Sequence, residues 1–120
     1  MRTTFETARP FDLLSTLAPI GLGLSLRIHQ NEAWRATRTP EGPSTIHLTY
    51  TAPTVEVEAW GPGAGWATAQ AAAVCGEADD ASGFQPRDRL ISDLHRRHPG
   101  LRLTRTHAVF EALVPVVLAQ

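Results

Sequence analysis

Six groups of residues carry types and spacings that chemistry can use. Gly61-Pro62-Gly63-Ala64-Gly65 lies where a strand hands over to a helix, the usual seat of a phosphate loop. The spacing is not G-x-G-x-x-G, no Gly-Lys-Ser/Thr follows, and Pro62 removes one N–H donor. A tight strand–helix connection is the better reading. His95 and His98 stand at i, i+3, but no third ligand falls at a recognisable spacing, and Arg96 and Arg97 between them repel a cation. They read as a basic helix end whose charge suits the helix dipole. Cys75, the single cysteine, ends an alanine-rich stretch with no basic neighbour, which describes a small buried apolar group better than a nucleophile. Asp79-Asp80, ahead of Ser82-Gly83, read as solvated or capping acids. Trp34, Trp60 and Trp66 read as packing anchors for a sheet in preference to a base-stacking platform.

The sixth group is Arg96, Arg97, Arg102 and Arg105, which bracket Pro99-Gly100-Leu101, a turn between two expected helices. Guanidinium forks and turn amides suit a phosphate backbone, while an ordinary solvated surface explains the composition equally well.

Charge and composition bound the partners. All 11 basic residues are arginine. With the many Ala, Gly and Pro residues, this matches a GC-rich coding background and needs no function to explain it. The net charge of −1 conceals an asymmetry: residues 1–80 carry five Arg against nine acids, and residues 81–120 carry six Arg against three. The second part therefore hints at an anionic partner. At 42% apolar content the 120 residues can build a core. No apolar run approaches the roughly 20 residues of a membrane span, and residues 1–10 contain no signal-peptide apolar region. The expected location is cytoplasmic, a reducing compartment that suits a lone cysteine.

The elements that must position these groups read as α+β. Thr3–Thr7 suits a short edge strand ended by Pro10. Asp12 suits the start of a helix presenting Leu13, Leu14 and Leu17 on one face, broken by Pro19, Gly21 and Gly23. Strand-like runs follow at Leu24–His29, Ala33–Thr39, Thr45–Tyr50 and Thr54–Trp60, with period-2 alternation and turn residues at Thr39-Pro40-Glu41-Gly42-Pro43 and Ala52-Pro53. This pattern describes an antiparallel sheet with one wet face. A helix from Trp66 to about Val74 stops at Gly76. Arg87–His98 places Leu90, Ile91 and Leu94 on one helical face and ends at Pro99-Gly100. Thr106 suits the cap of a last helix through Val109, Ala112, Leu113, Val116 and Val117, with Glu111 too far along to close a capping box. The final eight residues, Leu113 to Gln120, are almost wholly apolar with no stop signal, and their five large aliphatic side chains represent roughly 7 kcal/mol of burial. The expectation is a chain cut in mid-helix.

His98-Pro99-Gly100-Leu101-Arg102-Leu103, followed by Val109-Phe110-Glu111-Ala112-Leu113-Val114 and Val117-Leu118-Ala119-Gln120, resembles the DNA-3-methyladenine glycosylase II family of the helix-hairpin-helix superfamily. The similarity extends through Pro10-Phe11-Asp12, Arg38-Thr39-Pro40-Glu41-Gly42 and Asp80-Ala81-Ser82-Gly83-Phe84, and covers nearly all 120 residues, though no single motif is unique. The resemblance implies an amino-terminal α+β domain over 1–76, like half of a TATA-binding protein. A linker over 77–86 and the first helices of an all-α glycosylase domain over 87–120 would follow. It implies base-excision repair of alkylated bases, with double-stranded DNA as partner, a nucleoid association during repair, and no metal or organic cofactor. The DNA-contact candidates are Arg96, Arg97, Arg102, Arg105 and Gln120, the last leading into a loop that wedges into the duplex. Some members place an aromatic from the first helix in the base pocket; the nearest position here is Pro19, a departure. The phosphate-gripping hairpin and catalytic Asp are implied to lie further on, so the expected catalytic set here is none. The alternative is a stand-alone protein-interaction module using the apolar C-terminal helix.

Overall fold

The computed structural model describes residues 1–7, 10–21 and 25–120. Five strands form one antiparallel sheet: β1 (Arg2–Glu6), β2 (Leu26–His29), β3 (Glu32–Thr39), β4 (Gly42–Thr51) and β5 (Thr54–Trp60). Their order is β1-β5-β4-β3-β2, so four consecutive strands form a meander and β1 closes against its far side. Helix α1 (Leu13–Leu17) precedes β2, and α2 (Ala64–Val74), α3 (Arg89–Arg97) and α4 (Val109–Leu118) follow β5. The expected α+β class holds. The expected positions Gly23 and Leu24 lie outside the described residues.

Alternation sets the two faces of the sheet. Ile46 and Leu48 on β4, with Val55, Val57 and Ala59 on β5, point into the core, while Glu56 and Glu58 point out. Ala67, Ala71, Val74 and Cys75 from α2 and Phe11, Leu13 and Leu17 from around α1 complete one buried cluster. Small residues at 67 and 71, one turn apart, let α2 approach the sheet closely. Leu17, Leu48, Val55 and Val57 are almost wholly shielded, each contributing about 1.5–3 kcal/mol.

Local chemistry explains where the helices start and stop. The Asp12 carboxylate accepts the Ser15 N–H (3.0 Å), and Asp88 accepts from the Leu90 and Ile91 amides (2.9 and 3.2 Å). Helix α2 ends where Gly76 adopts φ +80°; the Glu77 N–H then reaches Ala72 O and the Gly76 N–H reaches Ala73 O, each at 3.0 Å.

Three expectations need correction. Leu14 is half-exposed, because α1 is one turn long and the residues three and four after Leu13 are Thr16 and Leu17, both buried. Thr106 does not cap α4: its hydroxyl accepts the Ala108 N–H (3.2 Å) in the preceding turn, and the N-cap position is Ala108, whose side chain carries no acceptor. Trp34 and Trp60 pack on the sheet, but from its open face and not from the core. They stand on the open face, where Trp34 stacks on His47 (centroids 4.0 Å) and on Trp60 (5.8 Å). Ala33, Arg35, Thr37 and Thr39 are the buried residues of β3, so its outward set begins with Trp34.

Candidate functional site

The segment after α3 folds back on the α+β unit. The carbonyl of buried Gly100 accepts the Asp12 N–H (3.0 Å), and a Cβ at position 100 would stand 2.7 Å from Asp12 N. Only glycine allows that backbone-on-backbone approach. Downstream, Leu103 N–H donates to Asp79 Oδ2 (2.9 Å), the Thr104 hydroxyl to Val74 O (2.6 Å) and Arg105 N–H to Ala73 O (3.0 Å). The Thr104 hydroxyl satisfies a carbonyl at the end of α2, and Ala73 O, which already takes the Gly76 N–H, accepts a second bond from Arg105. Residues 100–105 thus belong spatially to the first unit, although the sequence assigns them to the second.

This placement corrects the reading of Arg102. Its side chain is 4% exposed, and its guanidinium pairs with Glu77, donates to Pro10 O (3.2 Å) and lies 5.0 Å from the Phe11 ring centroid. Its backbone N–H donates to Thr16 Oγ1 (3.2 Å). A cation so enclosed is withdrawn from any external phosphate, because burial requires an anion and hydrogen bonds at close range.

The other candidates lie at the surface. Arg96 and Arg97 occupy the last turn of α3 beside His95, where positive charge complements the helix dipole. Arg96 pairs with Asp93; Arg97 and Arg105 form no ion pair among the described residues. Gln120 is exposed just past α4, and Pro19 is exposed in the 3-10 turn after α1. No hydrogen bond, ion pair or shared groove joins Pro19 to the arginines among the described residues.

Two surface features adjoin these residues. A groove of about 360 Å³ runs between α3 and the turn after it, lined by Phe84, Ile91, Leu94, His95, His98 and Leu101. Phe84 meets His95 edge-on at 5.3 Å. Helix α4 carries exposed apolar side chains along its length, Phe110 and Leu118 both at 80%.

Gly61–Gly65 packs against the β3–β4 turn: a Cβ at Gly63 would lie 2.2 Å from Thr39 Oγ1 and 2.5 Å from Gly42 O, so the glycines serve a close connection. Asp80 accepts the Ser82 N–H (2.9 Å), a turn contact in the loop before α3. Cys75 is fully buried, and burial first, then the Glu77 charge, pushes its thiol up to about 12. No cluster of metal-ligating side chains occurs among the described residues, and no described helix is long and apolar enough to cross a membrane.

One arrangement escaped the sequence reading. Glu111, on the first turn of α4, meets Arg35, Thr37 and Arg38 of β3 across 73 to 76 residues of chain. No local signal marks it, because the inward position of Arg35 follows only from the register of β3. Comparison with known proteins gives no matching family and no matching curated protein.

Proposed function

We propose that this chain is the amino-terminal portion of a base-excision-repair DNA glycosylase of the 3-methyladenine type. In this reading residues 1–76 form a supporting α+β domain, and α3 and α4 open the helical domain that performs the chemistry. The observation that carries it is the contrast between a filled first core and helices whose apolar faces are open. Leu90 on α3 is 65% exposed, and α4 has no buried residue at all. Helices of that composition are built to be covered. The resemblance through His98-Pro99-Gly100-Leu101-Arg102-Leu103 supplies the identity of the cover: further helices of the glycosylase domain.

In such an enzyme the damaged base is turned out of the duplex and stacked on aromatic side chains. Water then replaces it at the sugar, and the base departs with the electron pair of the N-glycosidic bond. Alkylation gives many target bases a positive charge, which makes them better leaving groups, and an aspartate steadies the developing cationic sugar or its attacking water. That aspartate is not among these residues, so the chain alone is catalytically silent. Arg97, Arg105 and Gln120, with Arg96 beside them, supply its duplex contacts, and these weaken steeply with salt, with a slope of about −0.9 per phosphate neutralised.

The test is excision. The 120-residue chain is expected to release no base from a duplex carrying 3-methyladenine. The reading frame continued past Gln120 is expected to encode a glycine-rich hairpin and an aspartate, and its product to release the base until that aspartate becomes asparagine. Excision by the 120 residues alone overturns the reading. So does a stop codon directly after Gln120 together with a tight soluble oligomer, the behaviour of a stand-alone interaction module.

A further inference from the structure

Among the described residues, strand β2 covers β3 only as far as Arg35. The register ends at Leu26 opposite Arg35, and Ser25 O takes the Ala36 N–H (2.8 Å). The next donor on that edge, the Arg38 N–H, donates to Glu111 Oε2 (3.1 Å). The Thr37 hydroxyl lies 3.0 and 2.9 Å from the two carboxylate oxygens, and Arg35 Nη2 donates to Oε1 at 2.9 Å. A backbone amide, a hydroxyl and a guanidinium from one strand therefore converge on one carboxylate. The Arg35 side chain is 9% exposed, so its charge requires an anion at this place. Helix α4, which delivers that anion, buries none of its own residues.

We infer that Glu111 is a positioning residue: the Arg35–Arg38 stretch of β3 is a carboxylate-binding notch that sets the angle and register of α4, and with them the placement of Gln120. The tie follows from the geometry; only its service to DNA contact rests on the glycosylase reading. Three donors at different points of the strand fix a direction as well as a distance, which apolar contact along a smooth helix face does not.

Native-state amide exchange and residual dipolar couplings on the 120-residue chain test the tie, comparing wild type with Glu111→Gln, Arg35→Met and the double variant. Glu111→Gln keeps the size and removes the charge. It is expected to speed exchange at the Arg38 amide and through α4 by about tenfold or more, with β4, β5 and α2 unchanged. The couplings should report one orientation of α4 in the wild type and a spread in the variant. Arg35→Met should do the same, and the double variant should be no looser than the worse single. If Arg35→Met fails to fold, Thr37→Val carries the comparison. Unchanged exchange and couplings in Glu111→Gln, or fully additive effects, overturn the inference. A loosened α4 in a chain without duplex affinity would sink the glycosylase reading and leave the tie standing; duplex binding with α4 unaltered would sink the tie alone.

Discussion

Replacing Arg102 with alanine separates a structural arginine from a DNA-contacting one. The variant removes a buried ion pair with Glu77, a hydrogen bond to Pro10 O and a guanidinium stacked 5.0 Å from Phe11, and it empties the space the side chain fills. Breaking a buried pair by deleting one partner costs about 3–5 kcal/mol. Here the orphaned Glu77 side chain is 25% exposed and recovers part of its hydration, which pulls the figure down to about 2–4 kcal/mol. With a urea m-value of about 1.5–2 kcal/mol/M, the unfolding midpoint should fall by about 1–2.7 M. Tryptophan fluorescence reads the transition, since Trp34 and Trp60 stack on the sheet face that unfolding disperses. Arg102→Lys keeps the charge but lacks the planar fork needed to reach Glu77 and Pro10 together, so it should lose about half as much. Arg97→Ala, at an exposed site, should leave the unfolding free energy within about 0.5 kcal/mol of wild type. A midpoint for Arg102→Ala within about 0.3 M of wild type would refute the burial argument and return the residue to the surface set.

Three further outcomes are expected. Gly76→Ala places a Cβ 2.5 Å from Arg102 Cβ at a residue with φ +80°, so it should lower Tm by about 8 °C or more; a change under about 2 °C in a calorimetric scan would contradict it. Asp12→Ala should cost about 1 kcal/mol near neutral pH through loss of the α1 cap, measured by urea unfolding. Hydrogen bonds from the Ser15 amide and hydroxyl hold the Asp12 carboxyl below its ordinary 3.8. Its contribution is therefore present above 3.8 and lost as pH falls through the lower folded value, so wild type and variant should converge in acid. Cys75, its thiol raised to about 12 by burial, should react with a disulfide reagent near pH 8 only as fast as the chain unfolds; reaction at the rate of a free thiol would show an open site.

What could be read from the residues follows the range of the forces involved. Alternation in Thr45–Tyr50 and Thr54–Trp60 is a local signal of a one-sided sheet, and the strands formed there in that sense. Asp12 and Gly76 are local signals too, and each shapes the end of its helix. Strand β3 broke the rule, because its inward row is Ala33, Arg35, Thr37 and Thr39 and its tryptophan faces outward. A hydrophobic pattern cannot orient a strand whose buried side is polar. The register could, since Trp34 lies opposite His47, a residue already on the wet side of β4. Of the four arginines singled out, three are exposed as expected. Arg102 was misread because its partners Glu77 and Pro10 are 25 and 92 residues away, and nothing local distinguishes a buried arginine from a solvated one.

The two enclosed arginines share a logic. Arg102 sits on the late segment and takes its anion from the end of α2; Arg35 sits in the sheet and takes its anion from α4. Each is a pair whose desolvation cost offsets much of its attraction, so neither is an efficient way to add stability. An apolar pair of equal volume would hold as well but would slide, because dispersion has no direction, whereas a guanidinium fork fixes the plane and distance of its carboxylate. Such a pattern suits segments whose orientation matters more than their strength of attachment. It also leaves the apolar faces of α3 and α4 uncommitted. On the proposed glycosylase reading, had α4 been fastened by Leu113, Val116 and Val117, no greasy surface would remain for further helices, and covering it later would mean prising it off the sheet. Polar fastening on the Glu111 side and apolar exposure elsewhere on α4 are thus two halves of one arrangement, and a substitution that buried α4 against the sheet should strengthen the isolated chain while blocking assembly with any helical domain.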